Sequence, residues 1–472
     1  MRYWNGISND PEICNVRQGK QLNDDAICRL VVRGKGEIRQ EGHGMNHIIE
    51  MLKDTPLPKM ARITQDFPAN KLADPVDALR AALESCPASM RLRPGMRIAV
   101  TVGSRGIAEL KLLVSTLISW LKEKDVAPFI VPAMGSHGGA TAEGQVAVLA
   151  SFDITEESMG CPILSSMETE LLGTLTNGMQ VRMDKNAMAA DGILIFNRIK
   201  PHNSFRYRVE SGLVKMLAIG LGKQSGADQC HSWGFEHLGE IMTDMARMKL
   251  ERCKIFMGVA TVENAYDQLA RIIAVTPEEL IEREAEELRY AKDSMPRLML
   301  DPLDVLVVDQ SGKEFSGGGM DANITGMSAG GWRMSDIIIK RIVALRLSPH
   351  SLGNAIGMGL ADVTTQQFYE AVDFKATYTN VLTSKLIAAA RLPMVMPSDY
   401  NAIQAAIKSS TPKDMAKVRV VRIPNTLHLH EAYISEGLLP DAEKQSGIRI
   451  LSEPAPMTFD EHGTLLDPWG FA

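Results

Sequence analysis

The stretch Arg97-Ile98-Ala99-Val100-Thr101-Val102, followed by Gly103-Ser104-Arg105-Gly106, decides the fold class. A short, largely apolar, β-branched run reads as a buried strand, and the glycines after it read as a turn. Beyond the turn, Leu110, Leu113, Val114, Leu117 and Leu121 recur at helical spacing, which predicts an amphipathic helix over 108–124. The unit then repeats in kind. Residues 128–133 read as an apolar strand, Gly135-Ser136-His137-Gly138-Gly139 as a loop, and 142–150 as a helix with Thr141 as N-cap. A third strand is predicted over 191–197. Strand, loop and helix in alternation imply an α/β protein built on a parallel or mixed sheet flanked by helices. Ligands gather at the carboxyl ends of such strands. Arg105, His137 and His202 each fall just after a predicted strand and are expected to face one crevice.

Outward from this centre, Thr276-Pro277-Glu278-Glu279 reads as a capping box with proline at the first helical position. The charged helix it opens runs to about Lys292 and is expected to connect two domains. After Pro302 a second α/β pattern begins: an apolar strand over 303–308, then Asp309-Gln310-Ser311-Gly312-Lys313 and the glycine-rich Ser316-Gly317-Gly318-Gly319. The expected division is a cofactor-binding domain over 1–293, a second α/β domain over 296–435, and a tail over 436–472 that packs back on the first domain. The active site is expected in the cleft between the two domains. The first fifty residues are polar, with one strand predicted over 26–32.

At 472 residues the chain exceeds what one simple core accommodates. A net charge of −6 offers nothing to attract nucleic acid or an anionic membrane. No signal-peptide core opens the chain, and no run of eighteen apolar residues is present. The six cysteines are scattered without a CxxC pair, which argues against a disulfide framework or an all-cysteine zinc site and suits a reducing cytoplasm. The 27 methionines are dispersed and read as core filler.

The chemistry concentrates in Lys200-Pro201-His202-Asn203, Ser211-Gly212-Leu213-Val214-Lys215 and Cys230-His231, with His137 upstream. Histidine exchanges protons near neutral pH and binds metals. Lys215 lies beside the apolar Met216-Leu217-Ala218-Ile219. Desolvation there would lower its pKa and make it a nucleophile. Arg198, Lys200, Arg206 and Arg208 make the His202 segment basic, suited to a carboxylate or phosphate, against the plainer reading of a solvated loop. Gly220-Leu221-Gly222-Lys223-Gln224 lacks the spacing of a P-loop, and no GxGxxG follows the first strand. His428-Leu429-His430, read as a strand, would place two histidines on one face, where ordinary strand surface competes with a metal pair.

The set Ser104-Arg105, Gly135-Ser136-His137, Pro201-His202, Ser211-Gly212-x-x-Lys215 and His231 resembles the lactate racemase family. Gln310-x-x-Lys313 resembles that family's substrate-side pair. The resemblance covers about residues 95–315. It implies an isomerase, a racemase or epimerase that inverts the hydroxyl-bearing carbon of a 2-hydroxy acid by reversible hydride transfer to a nickel-pincer nucleotide. That cofactor is a pyridinium mononucleotide with thioamide and thiocarboxylate arms. By resemblance Lys215 carries it covalently, His231 is the nickel ligand, and Ser211 and Gly212 help bind it. His137 and His202 are the two acid–base groups, and Arg105, Gln310 and Lys313 bind substrate. Separate cofactor-synthesis enzymes are the implied partners. The chain departs from the family pattern in three places. No acidic residue precedes Arg105, the segment from His202 to Lys215 is longer, and the second-domain tryptophan has only Trp332 as a candidate. Two other classes stay open: a nickel- or cofactor-binding protein without turnover, and a metal-free lyase using Lys215 as a Schiff base.

Overall fold

A computed structural model of the chain describes residues 43–104, 106–466 and 469. Arg105 and the strand expected over 26–32 lie outside the described residues. The chain divides into two compact units, Met1–Asp54 and Thr55–Ala472. The described part of the first is the helix His43–Leu52 with a short flank. The second unit holds two large sheets.

The smaller of these sheets has the order β3-β2-β6-β7-β8. Its strands are β2 (Arg97–Val102), β3 (Ala127–Pro132), β6 (Gly192–Arg198), β7 (Ile255–Glu263) and β8 (Leu269–Val275). β2, β3, β6 and β7 run parallel, and β8 closes the edge antiparallel to β7. Alternate residues of β2 feed opposite cores. Ile98, Val100 and Val102 pack with Leu113, Leu117 and Trp120 from the helix Leu110–Glu123, whereas Ala99 joins Val131, Ile195 and Leu217 on the other face. Burial on both faces is why β2 reads as a continuous apolar run rather than an alternating one. The chain passes from β2 outward to β3 and later returns on the far side of β2 as β6. This reversal marks the crevice at the carboxyl ends of β2, β3 and β6 as the place for a ligand.

The larger sheet runs β12-β11-β10-β9-β13-β14-β1-β15. Here β9 (Leu303–Ser311), β10 (Ile339–Leu347), β11 (Val363–Thr365), β12 (Met394–Met396) and β13 (Val420–Ile423) are parallel. The strands β14 (Glu431–Ser435), β1 (Met60–Gln65) and β15 (Ile448–Ile450) extend it antiparallel. The early strand β1 thus lies in the larger sheet. The C-terminal stretch pairs with β1 through β15, and it reaches Asp399 and Asp309 through Leu465 and Trp469. A separate hairpin joins β4 (Thr169–Thr174) to β5 (Gln180–Asp184).

Two local expectations are corrected. The helix expected from the capping box at Thr276 begins instead at Leu280 and ends at Ser294. β8 ends at Val275, and a tight turn from Thr276 O to Glu279 N (3.2 Å) first leads the chain off the sheet. His428 and His430 lie in the loop before β14, not on a strand. The Asn425 carboxamide oxygen accepts from the N–H of Leu427 and of His428, which folds this segment into a turn. Their neighbours are separate: His428 approaches Asp267 and His430 approaches Asp66, each at 3.9 Å.

Candidate active site

Three segments converge on the crevice. The loop after β3 carries His137, whose side chain is exposed. Tight docking of this loop explains Gly138. Gly138 has φ +68, and a Cβ there would stand 2.5 Å from the backbone carbon of Gly144 at the start of the helix Ala142–Ala150. Thr141 caps that helix by accepting from Gly144 N, as the sequence predicts.

The loop after β6 carries His202. It is closed at its base by a bridge between Lys200 and Ser211. The buried Glu210 carboxylate organises it, accepting from His202 N (2.8 Å), Arg206 Nη1 (3.2 Å) and Lys292 Nζ (2.7 Å). Asn203 donates to Ser316 Oγ, and Arg206 reaches Asn323 and the carbonyl of Met334, so the loop is tied to segments that follow β9. His202 Nδ1 accepts from Ser204 N at 3.1 Å. The neutral ring therefore carries its proton on Nε2 in this arrangement, an assignment from hydrogen-bond geometry.

Lys215 ends a one-turn helix, Leu213–Lys215, that runs directly into a π-helical turn, Met216–Gly220. Single π turns are concentrated at functional positions. Glu284 explains the glycine of the Ser-Gly-x-x-Lys motif. Its buried carboxylate accepts from Val214 N at 2.7 Å, and a Cβ on Gly212 would sit 2.6 Å from the carboxyl carbon. Burial pushes the Glu284 carboxyl up to about 7. Below the π turn, the buried ammonium of Lys249 donates to the carbonyls of Leu217 (2.6 Å) and Ala218 (3.3 Å). Burial pulls its pKa down to about 7. His231 ends the helix Lys223–His231.

His137, His202, Ser211, Lys215 and His231 line one cavity of about 270 Å³, together with Met134, Ile219 and Phe235. Its far wall comes from the other sheet system, through Ser316–Gly318, Asn380 and Leu386. Phe235 stands between the imidazoles, 6.5 Å from the His202 ring and 5.7 Å from that of His231. Desolvation, reinforced by the positive charge of Lys215, holds His202 well below the usual histidine range and His231 at about 4. Both rings are therefore neutral at pH 7, the form that ligates metals or accepts protons. The neighbouring Cys230, pushed up to about 12 by burial, stays a thiol. Two adjoining cavities, of about 140 and 510 Å³, share Lys200 with the first.

The remaining expected residues are more scattered. Gly212 contributes backbone, its carbonyl accepting from Asn197 Nδ2 (2.8 Å). Lys313 lines the 510 Å³ cavity and donates to Asn380, a residue of the first cavity's wall. Gln310 lines a different cavity, beside Asp309, Arg346 and Trp469. Trp332 packs its ring 6.1 Å from that of Phe235. The sequence reading missed Glu210, Glu284, Lys249 and the pair Gln145–Lys223. Lys249 sits between the apolar Met248 and Leu250, but Glu210, Glu284 and Lys223 each have a polar neighbour, and Lys223 is the lysine of the segment rejected as a P-loop.

The α/β architecture of parallel and mixed sheets flanked by helices is shared with solved structures. Residues 52–240 match the family described as the lactate racemase N-terminal domain. The lactate racemase apoprotein from Thermoanaerobacterium thermosaccharolyticum shares the fold with a TM-score of 0.50 and 15% identity, covering 78% of this chain and 99% of that one. A protein from Thermotoga maritima aligns with a TM-score of 0.46 and 14% identity, over 66% of this chain and 81% of its own. No curated protein matches the chain. Among the described residues, no helix is long and apolar enough to cross a membrane.

Proposed function

We propose that this protein is a 2-hydroxy acid racemase or epimerase that works with a nickel-pincer nucleotide. The observation that carries the reading is the meeting of His137, His202, Lys215 and His231 around one cavity. The donor set fits the cofactor. Among the described residues no group of three or more His, Cys, Asp or Glu side chains could cage a bare metal ion. A pincer that brings its own donors needs only one imidazole and one amine, which His231 and Lys215 provide. When bound, the nucleotide supplies the acceptor and return donor of the carbon-bound hydride.

The chain's own residues do the rest. Lys215, held by Glu284 and Lys249 through its backbone neighbours, is the tether. His231 is kept neutral by burial and offers a lone pair. His137 and His202 move the hydroxyl proton, and inversion requires one such group for each face of the planar ketoacid. In the arrangement seen, His202 offers an Nε2 proton to a substrate oxygen. Lys200, which lines all three cavities, would meet the carboxylate. The proposal includes a reducing, cytoplasmic setting and loading by separate cofactor-synthesis enzymes.

The test is interconversion of 2-hydroxy acid enantiomers in deuterated water, with intact-mass and nickel analysis of the loaded protein. The expected product carries little solvent deuterium at the inverted carbon. Full incorporation would establish a carbanion route and overturn the hydride reading. Activity without nickel or an adduct mass would favour the lysine Schiff-base reading instead.

A further inference from the structure

The helix that ends at His231 begins at Lys223, and that residue is unusual in two ways. Its ammonium is fully buried, and its backbone is left-handed, with φ +53. A non-glycine residue rarely adopts that region, because its Cβ crowds the backbone there. Such strain persists where the surroundings over-determine it, and it clusters at functional sites. The surroundings here are polar and specific. Lys223 Nζ donates to Pro132 O (2.5 Å) and to Gln145 Oε1 (2.9 Å), and it lies 3.3 Å from Asp184 Oδ2. Asp184 and Gln145 are fully buried as well.

Gln145 is directional because its partner is. An ammonium only donates, so it selects the oxygen end of the carboxamide. The amide nitrogen is thereby turned to the loop after β3, where it donates to Gly135 O (2.9 Å) and His137 O (3.3 Å). One chain of contacts thus runs from Asp184, at the end of β5, through Lys223 on the His231 helix, to the main chain of His137. The His137 side chain is exposed, and its main chain is held by this contact.

We propose that Gln145, oriented by Lys223 and Asp184, is the positioning residue that sets where His137 stands relative to Lys215 and His231. This rests on the reading of His137 as an acid–base group. Gln145 touches no substrate and acts only through the loop carbonyls. A carboxylate at the same position still accepts from Lys223 but cannot donate to Gly135 and His137, so it releases the loop at nearly constant volume.

The experiment uses Gln145→Glu in the cofactor-loaded protein, with His137→Ala and the double variant beside it. Hydrogen exchange over 134–140 is expected to rise while the adduct mass at Lys215 stays as in the unsubstituted protein. The expected loss in kcat is about 10²-fold, the scale of an ångström's misplacement, with KM little changed. The double variant is expected to be no slower than His137→Ala alone. Should Gln145→Glu fail to fold, Gln145→Asn, which keeps both ends of the amide but shortens its reach, carries the same measurements. Unchanged exchange in the loop, an unchanged kcat, or losses that multiply in the double variant would each overturn the proposal. If His137→Ala itself leaves the rate intact, the acid–base reading falls and the catalytic positioning role with it. The exchange data then still decide whether Gln145 holds the loop.

Discussion

Replacing Glu284 by glutamine separates two consequences of burying an acid beneath the tethering turn. The carboxyl is fully buried; one oxygen accepts from Val214 N, and the other has no hydrogen-bond partner. Its pKa rises from an ordinary 4.5 to about 7, with burial the main cause and the backbone N–H groups of Val214 and Leu213 opposing it. The folded protein therefore holds this proton more tightly than the unfolded chain. The stabilisation is fully present below pH 4.5 and is lost as pH rises through 7. Linkage across that interval gives about 3 kcal/mol as an upper figure, reduced by whatever water reaches the ionised group. Glutamine keeps the shape and an acceptor for Val214 but does not titrate. The stability of Glu284→Gln relative to the unsubstituted protein is thus expected to climb by up to about 3 kcal/mol between pH 4.5 and 8. Urea midpoints and thermal unfolding of the apoprotein across that range measure it, and in a chain of this size the shift in melting temperature is a few degrees. Parallel pH profiles for the two proteins would refute the reasoning, because they would mean that the carboxyl titrates near its ordinary value.

Other outcomes follow from the same geometry. Lys215→Ala is expected to abolish the adduct mass with melting temperature nearly unchanged, since the half-buried side chain adds little packing; a persistent adduct would identify another lysine as the tether. His137→Ala and His202→Ala are each expected to slow interconversion in both directions by about 10²–10⁴-fold, read from initial rates with either enantiomer. Lys223→Met strands the buried carboxylate of Asp184 and is expected to cost about 3–5 kcal/mol in a urea titration, a loss that the added change Asp184→Asn partly reverses. Gly212→Ala drives a methyl group into the Glu284 carboxyl and is expected to cost about 1–3 kcal/mol, whereas the double change Gly212→Ala with Glu284→Ala should recover part of it.

Local order was legible wherever one periodicity dominated. The run 97–102, the leucine spacing over 110–121 and Thr141 before a helix each specify a backbone conformation through near neighbours, and β2, the helix Leu110–Glu123 and the cap at Thr141 follow them closely. The meeting of His137 and His202 in one crevice was legible too, because strand-end loops are readable in one dimension. What holds those groups was not. Glu284 meets Gly212 across 72 positions and Lys223 meets Gln145 across 78, so neither contact leaves a local trace. The same limit applies to Gln310, whose sequence distance to Lys313 says nothing of which cavity it faces, and to β1, whose partners β14 and β15 lie at the far end of the chain. Periodicity and turn chemistry are decided by neighbours in sequence. The desolvation that raises Glu284 and lowers His231, and the pairing of Lys223 with Gln145 and Asp184, arise only when distant segments exclude water together.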